Sequence, residues 1–399
     1  MTLLFSRAPG DEPSTHAFVI GVGGYPSAKV GVGYLDGLIA PDVPSAADSA
    51  KFFCDWLLEN RDLLVAPLAS LEVLISDTGE GEDRYPWNPP LPEGHTSMPA
   101  IDEASAANVA IAGEAWLSTD RVRDGDVVLF YFCGHGASLS SKPALFLGDL
   151  NQSAIKPWTF LNAQSLGNVL RQNTRISGAY LFVDACGESI PGFDLHLQAN
   201  PDPGIVFWPA AKWGAQESWK VLLLCATPSG IEAHDGTMPN SAVRLGRFTQ
   251  TLVKGLNGAL VGDWDGRWSV DSASLSNQLK NLREFYFPGW NEYSFEPGAL
   301  MGFNEVRHIV VPARPIVPVK ARVSPNEAYD GHALCIGEVP PPPIPADASV
   351  PFDTVAKVWR PEMAPSTTAR YAVVHKGDAF YVLHFTPNKP HFDLKVPIT

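Results

Sequence analysis

Cysteine is scarce in this chain: Cys54, Cys133, Cys186, Cys225 and Cys335 are few, odd in number and far apart. That pattern excludes a disulfide framework and points to a reducing compartment, the cytoplasm. No CxxC pair exists to hold zinc, so no metal and no cofactor is expected. Lysine and arginine form no cluster, and the net charge is −14, which argues against a nucleic-acid partner. An acidic surface instead favours approach by basic peptides. No run of eighteen apolar residues is present, so no membrane span is expected. The opening MTLLFSRAPGDEPST lacks both the basic start and the apolar stretch of a signal peptide, and it reads as a flexible leader over residues 1–15. Internal repeats are absent too.

What is present is ordinary globular composition over 399 residues, 45% apolar and 18% charged, enough for two or three domains. Strand-like and helix-like segments alternate from residue 16 to about residue 256. Apolar runs predict strands at His16–Gly23, Leu71–Ser76, Asp126–Phe132, Gly178–Asp184 and Lys220–Ala226. Helical spacing predicts helices at Ser45–Glu59, with Ser45 as N-cap, and at Glu103–Leu117, Leu161–Gln172 and Phe248–Leu256. Strands apolar on both faces and separated by helices imply a three-layer α/β domain, its mainly parallel central sheet flanked by helices. Two long stretches, Asp77–Ala100 and Gly187–Ser218, read as irregular.

After Gly298 the texture changes. The α/β domain is placed at 16–303, a proline-rich linker at 304–320 and a small β-rich C-terminal domain at 321–399. Within the last, Ala369–Val374 and Ala379–Phe385 read as a hairpin with Gly377 in its turn. The polyproline run Pro340–Pro343 reads as a stiff loop.

The candidate chemistry lies in VVLFYFCGHG and GAYLFVDACGE. His135 and Cys186 each stand just past the carboxyl end of an apolar strand, the edge at which open α/β sheets bind ligands. A thiol with an ordinary pKa near ~8.5 is mostly protonated at neutral pH and needs a nearby imidazole to become a nucleophile. Gly134 and Gly136 would clear space beside the imidazole for a substrate backbone. The Gly136 and Cys186 amides would then face a developing oxyanion. Cys54 and Cys225, by contrast, read as small core residues.

These two motifs resemble those of the caspase-like cysteine peptidases, which include caspases, metacaspases and paracaspases: a strand, GHG, a spacer of about 50 residues, a second strand and DACG. The resemblance spans roughly residues 16–260 and is closest to bacterial metacaspase-like proteins. It implies His135 as base and acid, Cys186 as nucleophile and a thioester acyl-enzyme. It also implies that Asp184 and Cys133, each two residues before a catalytic residue, line the pocket for the residue preceding the cut. A carboxylate there suits arginine or lysine, so cleavage after basic residues of a protein or peptide is expected. An acidic residue from the loop after the first strand should contribute. Asp36 is the candidate, with Asp42 and Asp48 competing. The resemblance further implies a bacterial defence or cell-death role and an activating partner engaged through the C-terminal domain.

The chain departs from that pattern as well. Gly187 and Glu188 follow the nucleophile, and no acidic cluster matches a calcium site, Asp149 standing nearly alone. GVGGYP begins like a dinucleotide fingerprint but has Pro26 where a third glycine belongs. Ala163–Gly167 (AQSLG) resembles a serine-hydrolase elbow but has no predicted strand before it. His234 and Asp235 read as solvated, with a substrate-shaping loop beyond the last core strand as the alternative. The competing reading is a catalytically vestigial caspase-like scaffold that binds proteins.

Overall fold

A computed structural model describes the chain apart from residues 1, 9, 36–37, 80, 82, 90–99, 140–141, 188–192, 194–218, 228–231, 289–296, 325–331, 339–349, 355, 377–378 and 399. Asp36, Gly377 and the polyproline run lie outside the described residues. The chain divides into two compact units, Met1–Val253 with Asn291–Val306, and Lys254–Trp290 with Arg307–Thr399.

The first unit is built on a seven-stranded sheet. Its members are β1 (Leu3–Ser6), β2 (Thr15–Val22), β3 (Leu68–Ser76), β4 (Val127–Gly134), β8 (Gly178–Ala185), β9 (Val221–Cys225) and the strand Gly298–Met301. The short strands β5 (Gly136–Leu139), β6 (Lys142–Phe146) and β7 (Phe160–Asn162) form a separate antiparallel sheet, and β10 (Asp235–Thr237) pairs with β11 (Arg244–Gly246). In the large sheet the order is β1-β3-β2-β4-β8-β9 and then Gly298–Met301. The five central strands run parallel, and the two edges are antiparallel. Among the described residues, four helices accompany them: α1 (Pro44–Glu59), α2 (Ala106–Trp116), α3 (Ala163–Gln172) and α4 (Arg247–Lys254).

The period of two sends alternate side chains to opposite faces. Phe18, Ile20, Phe130, Phe132 and Val183 share a buried cluster with Val109 and Trp116 of α2 and Leu166 and Leu170 of α3. On the other face Tyr131 stacks on Phe53 of α1 with ring centroids 4.4 Å apart. Each such large apolar side chain removed from water contributes about 1.5–3 kcal/mol. Small residues let α1 approach closely: a Cβ on Gly21 would lie 2.5 Å from Ala50 Cβ. The start of α1 is thereby brought near the carboxyl ends of the central strands.

Several expectations change. The leader is not loose throughout, because Leu3–Ser6 pairs with β3 and Leu4 is buried. Ser45 does not cap α1. Val43 holds that position without a side-chain bond, Pro44 opens the helix, and the Ser45 carbonyl accepts Ser49 Oγ. A proline at the first helical position needs no hydrogen-bond partner for its nitrogen, which moves the start back one residue. A strand, β7, does precede α3, yet Ser165 lies within the helix rather than on a sharp turn.

The second unit begins earlier than residue 321. Its first part holds the hairpin Val261–Trp264 and Arg267–Asp271, then α5 (Ser272–Tyr286), capped by Asp271 accepting from Ala273 N and Ser274 N. Residues 304–320 are not a linker: His308–Val310 and Val317–Ser324 are strands. Val317, Val319, Ala321 and Val323 are buried while Lys320 and Arg322 are less so, a strand period that the prolines conceal in the sequence. Val317–Ser324 pairs in parallel with His391–Pro397, and Arg370–Lys376 pairs antiparallel with both Ala333–Gly337 and Ala379–Phe385.

Candidate active site

β4 and β8 are adjacent and parallel, with Cys133 opposite Asp184 and Gly134 opposite Ala185. One residue further along each strand come His135 and Cys186. A single pocket of about 250 Å³ is lined by both, together with Cys133, Asp184, Gly134, Val43, Ser45, Ala46, Ala233, His234, Asp235 and Gly246. Residues named from two strand ends thus meet at one sheet edge.

The imidazole of His135 is held at both ends. Its Nε2 lies 2.8 Å from the Pro41 carbonyl oxygen, which only accepts, so Nε2 carries the proton and Nδ1 is the basic nitrogen. Its backbone N–H donates to Tyr25 Oη at 2.8 Å. Burial holds the imidazole below its ordinary pKa, opposed by the Pro41 hydrogen bond and the Asp42 charge. A neutral base at neutral pH follows. Pro41 left no mark in the sequence, because a backbone carbonyl belongs to every residue.

Cys186 is half-buried, and its Sγ receives the Ala233 N–H at 3.3 Å. The glycines of GHG serve the protein's own packing. A Cβ on Gly136 would come within 2.9 Å of the Cys186 carbonyl oxygen, and one on Gly134 within 2.9 Å of Tyr25 Oη. This packing need stands beside the expected room for a substrate backbone, and Gly134 does line the pocket. His135 O accepts from Phe146 N, while Gly136 and Leu145 form the next pair along the β5–β6 ladder. By antiparallel alternation, the Gly136 N–H points away from that ladder.

Asp184 lies at the buried base of the pocket. Its Oδ2 accepts from Thr249 N at 3.1 Å and from Thr249 Oγ1 at 2.6 Å, and Tyr131 Oη bonds that same hydroxyl. Burial pushes the carboxyl up to about 6 despite the two Thr249 donors. Cys133 is buried beside it, and burial followed by the Asp184 charge raises its thiol pKa well above the ordinary value. Cys133 is a wall of the pocket with no nucleophilic character.

The acidic residue expected from the loop after the first strand is not found among the described residues. Asp42 accepts from Tyr25 N at 3.0 Å and pairs with Lys29 Nζ at 2.7 Å. Asp48 is buried in a bidentate pair with Arg84, at 2.7 and 2.9 Å. Neither lines the pocket, to which this stretch supplies Val43, Ser45 and Ala46. The second carboxylate comes from Asp235, which the sequence reading left either in solvent or in a substrate-shaping loop. Its position is fixed by the β10–β11 pairing and by Arg244, whose Nη2 lies 2.5 Å from Oδ1. Asp149 accepts the Ala106 N–H at the start of α2, a structural use. Among the described residues, no three His, Cys, Asp or Glu side chains are grouped to hold a metal ion. No helix among them is long and apolar enough to cross a membrane.

Known proteins share parts of this chain. An uncharacterised protein of Sinorhizobium fredii, y4kE, is 27% identical over 259 residues, spanning 64% of this chain and 66% of its own length, just under two thirds. A crystal structure of a Geobacter sulfurreducens protein aligns with 13% identity and a TM-score of 0.40, over 73% of this chain and 95% of that one. Residues 101–281 match the family model of the caspase domain, Peptidase_C14. That region, under half of the chain, is what is similar to the caspase domain.

Proposed function

We propose that the protein is a cysteine endopeptidase that cuts after arginine or lysine, with His135 and Cys186 as its catalytic dyad. The observation that carries the reading is one pocket walled by an imidazole, a thiol and two carboxylates, Asp184 and Asp235. Cys186 Sγ gives its proton to His135 Nδ1 and attacks the substrate carbonyl carbon. The carbonyl oxygen takes the negative charge and is met by the Gly136 and Cys186 N–H groups, the first of which the β5–β6 ladder leaves unused. As the tetrahedral species collapses, the C–N bond breaks and His135 returns the proton to the departing amine. A thioester remains, which water hydrolyses with His135 acting as base.

The basic side chain of the substrate enters towards Asp184, and Asp235 adds a second negative group nearer the mouth. Among the described residues no cation pairs with Asp184, and its buried carboxylate is what a cationic side chain complements. The wider readings, a cytoplasmic bacterial enzyme in defence or cell death, switched on by a partner at the C-terminal unit, rest on the family resemblance alone. The dyad is tested by alkylation with iodoacetamide and by Cys186→Ala. Both are expected to abolish hydrolysis of basic-residue peptides, and activity that survives both would replace this reading with a different hydrolase. Peptide binding without cleavage would favour the scaffold.

A further inference from the structure

We infer that Tyr25 is the positioning residue of the site, holding His135 by its backbone through the phenol and by its ring through the loop that carries Pro41. The inference rests on the reading of His135 as the base. Tyr25 follows β2 in the GGYP stretch and is fully buried. Its Oη accepts the His135 N–H at 2.8 Å and lies 3.4 Å from the Phe146 carbonyl oxygen, to which it donates. Its ring packs on the imidazole with centroids 4.9 Å apart at 47°.

The second tether runs through the Tyr25 backbone. Its N–H donates to Asp42 Oδ1 at 3.0 Å, and Asp42 directly follows Pro41, the acceptor of His135 Nε2. Lys29 bonds the other Asp42 oxygen at 2.7 Å. Both anchors of the imidazole therefore converge on one residue. If the ring only filled space, phenylalanine would serve equally well. The hydroxyl, however, is used twice, and Gly134 leaves the room it occupies, since a Cβ there would lie 2.9 Å from Oη. Removing the oxygen leaves the His135 N–H and the Phe146 carbonyl without this partner, so the turn that aims Nδ1 loses its fixed geometry. Tyr25 touches no reacting atom in this scheme and acts only through His135.

The test compares Tyr25→Phe, Tyr25→Leu and His135→Ala in the full chain, using a fluorogenic arginine peptide and rates normalised to alkylatable Cys186. A group that orients the base lowers kcat and leaves substrate binding intact. Tyr25→Phe should lower kcat about 10- to 100-fold with KM unchanged within about twofold. Tyr25→Leu, which also loses the ring, should lower it further. Should Tyr25→Phe fail to fold, Asp42→Ala carries the test by releasing the second tether, with kcat falling in the same way. A Tyr25→Phe kcat within about twofold of wild type while His135→Ala is inactive would overturn the inference alone. So would a loss that appears equally in KM. Activity retained by His135→Ala would instead overturn the reading of the base.

Discussion

Asp184 and Gly246 meet so closely that a Cβ at residue 246 would lie 1.9 Å from Asp184 Oδ2. The pocket carboxylate is thus walled on one side by bare backbone and tied on another to Thr249. Gly246→Ala should destabilise the protein by about 1–3 kcal/mol through overpacking. It should also raise KM for arginine peptides by displacing the carboxylate. Urea denaturation together with steady-state kinetics checks both effects, and a native-like KM would mean that the carboxylate moves aside freely.

Asp184 carries a stability cost that depends on pH. Its folded-state pKa of about 6 lies above its unfolded value of 3.8, so between those values the native state binds the proton more tightly. The penalty is absent below the lower value, grows as pH rises between them and is complete above the higher. At about 1.4 kcal/mol per unit it reaches roughly 3 kcal/mol at pH 7. Asp184→Asn should therefore raise the Tm at pH 7 and leave it nearly unchanged at pH 4, while losing activity on arginine peptides. Thermal melts at the two pH values check this. Equal gains at both would show that titration is not the cause.

Much of this arrangement is legible in the sequence. The central strands announced themselves as continuous apolar runs, and His135, Cys186 and Asp184 were fixed by their places at the ends of two of them. Other parts had no local signature. Leu3–Ser6 is too short to read as a strand until β3 offers it an edge. Pro41 acts through its carbonyl, and Asp235 is brought to the pocket by the β10–β11 pairing and its Arg244 partner, both tertiary in origin. The strand Val317–Ser324 was hidden because prolines and strands share extended backbone, so its alternation looked like linker.

The two carboxylates should be separable by kinetics. Asp235 is partly exposed and shared with Arg244, whereas Asp184 is buried. Asp235→Asn should raise KM for basic peptides about tenfold with little change in kcat, a smaller effect than that of Asp184→Asn. Equal losses would place both groups at the same depth of recognition.

Activity should fall on the acid side through two groups. His135, held below its ordinary 6.5 by burial, sets the limb in kcat, since the base must be neutral. Asp184 sets a limb in 1/KM near pH 6 in the free enzyme, since the pocket must be ionised to take a cation. Profiles of kcat and kcat/KM from pH 4.5 to 8 check this, and a kcat limb lying above 6.5 would contradict the assignment of the base.

The most direct measurement is cleavage of matched fluorogenic peptides ending in arginine, lysine or aspartate by the wild type, Cys186→Ala and His135→Ala. The account predicts hydrolysis after arginine and lysine, none after aspartate, and losses of about 100-fold or more in both variants. Hydrolysis after aspartate, or wild-type rates without the Cys186 thiol, would contradict it.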